Sequence, residues 1–215
     1  MEIESMKCKI CDTRKPRRYC PGVGGDICTM CCGTEREVTV NCPLDCPFLM
    51  EARLHEKPPE INPDSVPNRD IRITEEFLRD HESLLIFLGA NLLHASLETS
   101  GAVDSDVCEA LESMIRTYRT LDSGLIYETR SPNIYASGIQ DKLREAVEEL
   151  RKGLQEQLGS QMLRDADVLG TLVFLQRLEI QHNNGRKRGR AFLDFLRGYL
   201  PEPSGPELAT PGVTA

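Results

Sequence analysis

Residues 8–46 read CKICDTRKPRRYCPGVGGDICTMCCGTEREVTVNCPLDC and hold all but one of the nine cysteines in this 215-residue chain. The spacings are Cys8-x2-Cys11, then Cys20, then Cys28-x2-Cys31 with Cys32 adjacent, then Cys42-x3-Cys46. A C-x2-C pair aims two thiolates at one tetrahedral ion about 2.3 Å away, and two such pairs with further cysteines around them point to zinc. Gly22, Gly24, Gly25 and Gly33 suit the positive-φ turns of such knuckles. Glu37 to Asn41 reads as a short strand leading into the last pair. The four-residue spacing of Cys42 and Cys46 places both sulfurs on one side of a helical turn, and Pro47 suits the start of a helix carrying Phe48, Leu49 and Leu54.

Eight cysteines suffice for two four-cysteine sites, so two zinc ions are expected. The preferred partition sets Cys8, Cys11, Cys28 and Cys31 around one ion and Cys20, Cys32, Cys42 and Cys46 around the other. Neighbouring side chains of an extended backbone point apart, which assigns Cys31 and Cys32 to different ions. A single-zinc arrangement of Cys8, Cys11 and Cys28 with either Cys31 or Cys32 stays open. Such a head has too little core to fold by burial alone, so the metal is read as structural. An all-thiolate set leaves no position for a catalytic water.

The head resembles cross-braced zinc modules of the B-box, HIT and MYND kind, in which successive ligand pairs alternate between two ions. The resemblance covers residues 8–46, with Tyr19-Cys20-Pro21 similar to the HIT pattern and no closing histidine before His55. The phrase CCGTEREVTVNCPLDCPFL also resembles the cysteine-rich start of uncharacterised bacterial proteins. What the resemblance implies is a ligand role for the eight cysteines.

Around the head the composition shifts. Residues 1–55 form the expected zinc module, and 56–72 a linker whose run EKPPEINPDSVPNRD carries four prolines. Residues 73–200 form a helical domain, and 201–215 a tail without apolar periodicity, expected to be disordered. The fold class is therefore mainly α: a small module of a short β-hairpin plus helix, then an all-helical bundle of four to five helices. One helix runs from Thr74 to Gly101. A second spans Asp104 to Gly124 on the stripe Val107, Leu111, Met114, Ile115, Tyr118 and Leu121. A third starts at a capping box of Ser137 and Gln140 and carries Ile139, Leu143, Val147, Leu150, Leu154 and Leu158. A fourth runs from Asp165 to Asn184, and a short fifth from Ala191 to Leu200.

The start of the chain has no apolar run. The most apolar stretch, Leu84 to Leu97, is shorter than the roughly 20 residues a membrane span needs. A cytoplasmic protein without a membrane partner is expected, and in that reducing compartment clustered cysteines hold metal. A net charge of −8 argues against a chain that coats nucleic acid through phosphate contacts. Two basic clusters are the candidates for local contact, one at Arg14, Lys15, Arg17 and Arg18, the other at Arg186, Lys187, Arg188 and Arg190. Glu179 and His182 have the Glu-x-x-His spacing of di-iron bundles, but the second such motif those sites need is absent from the sequence. His81 and His94 read as core or boundary residues, and Cys108 as a small buried hydrophobe. The leading functional expectation is a non-enzymatic zinc-binding adaptor that binds a protein partner or pairs with itself. A nucleic-acid-binding regulator is the alternative, and a metal-dependent bundle enzyme the third reading.

Overall fold

A computed structural model describes residues 7–200 of the chain, apart from Pro58, Pro63, Ser65 and residues 159–162. The expected tail at 201–215 and the side chain of Leu158 lie outside the described residues. The chain forms two compact units. The first comprises the residues up to Pro59 together with Asn183–Arg190, and the second comprises Glu60–His182 and the residues from Ala191 onward.

In the first unit, β1 (Arg18–Cys20) pairs antiparallel with β2 (Gly25–Ile27), setting Arg18 opposite Ile27 and Cys20 opposite Gly25. Gly24 closes the hairpin at φ 64°, where glycine alone pays no Cβ penalty. Two short helices follow, α1 (Thr29–Glu35) and α2 (Pro47–Arg53), each beginning directly after a cysteine. Besides sulfur, the buried cluster of this unit holds only Ile27, Val40 and Leu49. With Leu44, which is also buried, four aliphatic side chains supply about 6–12 kcal/mol, against roughly 1–2 kcal/mol for each backbone residue ordered. Burial therefore does not fold this unit.

Local expectations in the head need correction. Glu37 to Asn41 is no strand. The Glu35 carbonyl accepts from the backbone N–H groups of Val38, Thr39 and Val40 at 3.1, 3.2 and 3.1 Å, so the chain turns there, with one isolated bridge between Arg36 and Val40. Cys42 and Cys46 do not share a helical turn, because each precedes a proline, which drives the preceding residue out of the α region. Cys46 instead sits at φ −69°, ψ 116° as the residue before α2. Gly33 lies inside α1, as do Cys31 and Cys32. Those two diverge by the roughly 100° step of a helix rather than by strand alternation.

The second unit is all-helical: α3 (Glu75–Asp80), α4 (Glu82–Glu98), α5 (Asp104–Asp122), α6 (Ile134–Leu158), α7 (Asp165–His182) and α8 (Ala191–Tyr199). The single helix expected from Thr74 to Gly101 breaks at His81, whose φ of −116° and ψ of 20° separate α3 from α4. His81 stacks on Phe77 with its Nδ1 2.8 Å from the Phe77 carbonyl, and Nε2 reaches Asp167 at 3.3 Å. Thr74 caps α3 through a 3.1 Å bond from Phe77 N–H. The third stripe starts earlier than Ser137, because Asn133 Oδ1 accepts from Tyr135 N–H at 3.0 Å and opens α6. Gln140, freed of a capping role, is buried and holds the preceding loop: it donates to the Thr129 carbonyl at 2.6 Å and accepts from Ser131 N–H at 3.3 Å.

Helix α5 is the central element, packed against α6, α7 and α8, while α4 packs against α6, α7 and α8. Leu88, Leu92, Val107, Leu111, Ile139, Leu143, Leu172 and Phe192 lie in one closed core. The buried Asp104 carboxylate accepts from the N–H groups of Phe192 and Leu193 at 2.9 and 3.2 Å, so the first residue of α5 satisfies the first turn of α8. Leu111→Ala is expected to cost the helical unit about 2–5 kcal/mol. Leu125→Ala, at a side chain 64% exposed, should stay within roughly 0.5 kcal/mol. Urea denaturation of both variants, followed by helical circular dichroism, checks the pair.

Candidate metal centre

The sulfurs of Cys8, Cys11, Cys28 and Cys31 lie within 4.8 Å of one another. Zinc–sulfur bonds of about 2.3 Å in a tetrahedron set sulfurs about 3.8 Å apart, so a contraction of at most about 1 Å closes this set on an ion. Two local structures deliver the ligands. The turn at Cys8–Asp12, tied by Asp12 N–H to the Cys8 carbonyl at 2.8 Å and passing through Asp12 at φ 49°, presents the first pair. The start of α1 presents the second, with Cys28 as its N-cap.

Backbone donors face the sulfurs, as expected where thiolate charge must be held. Cys28 N–H donates to Cys8 Sγ at 3.2 Å and Cys31 N–H to Cys28 Sγ at 3.4 Å. Burial pushes the Cys8 thiol up, yet N–H donors from Cys11, Cys28 and Ile10 outweigh it and leave the thiol below its ordinary value. The Thr13 hydroxyl donates to Cys11 Sγ at 3.3 Å and, with the N–H groups of Arg14 and Thr13, lowers that thiol to about 5. Cys31 is pushed up to about 12, first by burial and then by sharing hydrogen bonds with Cys28, Cys11 and Cys8. Cys11 thus gives up its proton readily, whereas Cys31 keeps its own. The donor set is four soft thiols close enough to share one ion, which suits zinc.

The other four cysteines of the head line a second place. Cys20, Cys32, Cys42 and Cys46, with Ile27, Leu49 and Phe48, surround a small cavity of about 20 Å³. Among the described residues these sulfurs do not converge within the distance that the first set does. Arg18 and Arg36 approach Cys32 Sγ at 3.7 and 3.8 Å, and the Arg18 guanidinium lies 3.8 Å from the centre of the Phe48 ring. Burial pushes the Cys42 thiol up. An N–H from Glu37 works against that, while the carboxylate of Glu37 and the sulfurs of Cys20 and Cys46 add to it.

Sequence reasoning missed Glu37. Its side chain is fully buried, its backbone stands at φ 54°, and it gathers donors from distant parts of the first unit. Arg53 pairs with it at 2.7 Å, Asn184 Nδ2 donates at 2.9 Å and the Arg190 N–H at 3.0 Å, while its own carbonyl accepts from Arg188 N–H at 2.8 Å. No spacing in the sequence marks one acidic residue in EREV. Only the donors brought to it by folding single it out.

The remaining candidates fall elsewhere. Arg186 of the second basic cluster reaches Glu56 at 2.8 Å and the Arg36 carbonyl at 3.4 Å. Arg14 of the first cluster lies beside the sulfurs of Cys28 and Cys11, which raise its pKa. Glu179 is buried beside Cys108, and the His182 ring stacks on Phe195 at 3.5 Å, with burial lowering its pKa. Neither joins a metal-holding group among the described residues. His94, expected in or near the core, is half-exposed and pairs with Glu98 at 3.1 Å, since it projects from the outer side of α4. No described helix is long and apolar enough to cross a membrane.

Cys108 gives a reactivity prediction. Burial first, and then the neighbouring carboxylates of Glu179, Glu112 and Glu109, push its thiol up to about 12. Cys108, expected to be buried, is only partly so, and iodoacetamide at pH 8 should modify it more slowly in the folded chain than in denatured chain, as peptide mass mapping would show. Because the folded value lies above the unfolded one of about 9, its contribution is complete below pH 9. It is lost as pH rises from about 9 to 12, so the helical unit should weaken across that alkaline window. No family model, curated protein or solved structure matches this chain.

Proposed function

We propose that the protein is a zinc-stabilised interaction module without catalytic activity of its own, in which the metal shapes a recognition surface on the first unit. The observation that carries this reading is the closed four-thiol set at Cys8, Cys11, Cys28 and Cys31. Three of the four are buried, backbone N–H groups already face the sulfurs, and among the described residues no further histidine, cysteine or carboxylate joins the set. An ion held in this way supplies folding free energy rather than chemistry. The eight clustered cysteines match two zinc ions per chain, the first of them at this set.

The adaptor part rests on what the head exposes. Tyr19, Met30, Met50 and Leu54 are 62, 57, 50 and 84% exposed on a unit in which, among the described residues, four aliphatic side chains are buried. Large apolar side chains outside so small a core suit contact with another protein or a second copy of this chain. The basic clusters favour nucleic acid less, because Arg14 and Arg18 turn to sulfur and Arg186 to carboxylates within the same unit.

Elemental analysis of the full chain, purified under anaerobic reducing conditions, is expected to find zinc. Cys28→Ser should remove the ion of the first set and unfold the head while the helical signal of the second unit persists. A purified chain that carries no metal overturns the reading. For the surface, Leu54→Asp paired with Met50→Asp should reduce association of the zinc-loaded chain, with itself or with a cross-linked partner, and leave its zinc content unchanged. RNA or DNA binding that weakens steeply with salt and is lost when Arg14, Lys15, Arg17 and Arg18 become glutamine would favour the regulator instead.

A further inference from the structure

The other four cysteines of the head belong to three separate stretches of chain, and three features set them around one small cavity, with their sulfurs farther apart than those of the first set. Cys20 ends β1, Cys32 lies on α1, and Cys42 and Cys46 flank the turn before α2. Gly22 lets the hairpin approach the last stretch: a Cβ there would stand 2.5 Å from the Asn41 carbonyl oxygen and 2.9 Å from Val40. Cys31 and Cys32 sit on adjacent helical positions, so when Cys31 faces Cys8, Cys11 and Cys28, Cys32 faces the other cavity. Leu49, almost fully buried, and Ile27 close the cavity from the apolar side.

We propose that Cys20, Cys32, Cys42 and Cys46 form a second tetrathiolate site for a zinc-class ion, and that this ion holds residues 183–190 on the head through Glu37. The proposal rests on the structural-zinc reading of the first site and extends it. A cavity of about 20 Å³ has room for one small ion and no more. Four thiolates around a divalent ion leave two negative charges, and the guanidiniums of Arg18 and Arg36 beside Cys32 are placed to balance them. The order of ligands along the chain then alternates, since Cys20 falls between the two pairs of the first site and Cys32 follows it. Each ion therefore fastens stretches the other does not.

The link to Glu37 is geometric. Glu37 lies five residues before Cys42 in the turn that the Glu35 carbonyl closes, and its φ of 54° is one that a side-chain-bearing residue holds only when its surroundings fix it. An ion at Cys32 and Cys42 fixes both ends of that turn. The turn in turn points the buried carboxylate at Arg53, Asn184 and the Arg190 N–H, and its carbonyl at the Arg188 N–H. Release of the ion frees the turn, and with it the acceptors of 183–190.

Native mass spectrometry of the full zinc-loaded chain tests the first half and is expected to show two ions. One ion, removed by Cys28→Ser and untouched by Cys42→Ser, overturns the second site and leaves the first intact; no ion at all would instead sink the reading of the first site. Cobalt substitution of the unaltered chain gives an arm that needs no variant to fold: two equivalents with thiolate charge-transfer bands are expected, and saturation at one overturns the proposal. For the second half, hydrogen exchange of the Arg188 and Arg190 amides should rise at least tenfold in Cys42→Ser and in Glu37→Ala while the first ion stays bound. Unchanged exchange with the second ion gone overturns the link through Glu37.

Discussion

Four sulfurs held within 4.8 Å of one another cannot all be thiolates without a cation among them, and the first unit depends on that constraint. Its hairpin has two three-residue strands, its helices have seven residues each, and four aliphatic side chains, Ile27, Val40, Leu44 and Leu49, are buried among its described residues. None of these elements is long enough to persist alone in water. What joins them is that Cys8 and Cys11 come from one turn, Cys28 and Cys31 from the start of a helix, and both must meet to share a centre. The N–H groups aimed at Cys8 and Cys28 show the backbone already arranged around sulfur charge.

Glu37 extends that dependence to residues far along the chain. A fully buried carboxylate is tolerable only while its donors stay in place, and removing one partner of such a pair costs about 3–5 kcal/mol. Its donors come from α2 and from Asn184 to Arg190. The second basic cluster, which in the sequence looks like a solvated patch for phosphates, therefore has an inward use: its backbone satisfies Glu37, and Arg186 pairs with Glu56. Local charge runs do not reveal such a role because the acid that absorbs them lies about 150 residues earlier.

The helices of the second unit were legible because their apolar stripes are long. Val107, Leu111, Met114 and Ile115 repeat every three or four residues and are all buried on α5, and the same holds for Ile139, Leu143 and Val147 on α6. Helix ends were less legible, since capping depends on side chains whose partners are not periodic: Asn133 rather than Ser137 opens α6, and His81 breaks the expected first helix. In the head, cysteine spacing pointed to the first set, and the short hairpin and the helix opened by Pro47 are present, but the strand expected at 37–41 and the shared helical turn of Cys42 and Cys46 are not. Short segments obey proline and carbonyl geometry, as at Cys42-Pro43 and at Glu35, more than residue propensity.

The two units also differ in how they bury polar groups, and this bears on what survives when metal is lost. The head buries Glu37 against donors that only the folded head supplies. The helical unit buries Asp104, Gln140 and Gln176 against its own loops and helix ends, with Asp104 satisfying α8 at Phe192 and Leu193 and Gln176 accepting from Asn68 at 2.7 Å. His182 and Ala191, which flank the returning segment, both belong to the helical unit. Release of 183–190 therefore loosens a loop, whereas α8 keeps its cap from Asp104 and its core residues Phe192, Leu193 and Leu196. The head thus rests on its converging sulfurs and on Glu37, while the helical unit stands on packing and caps that contain no cysteine of that cluster.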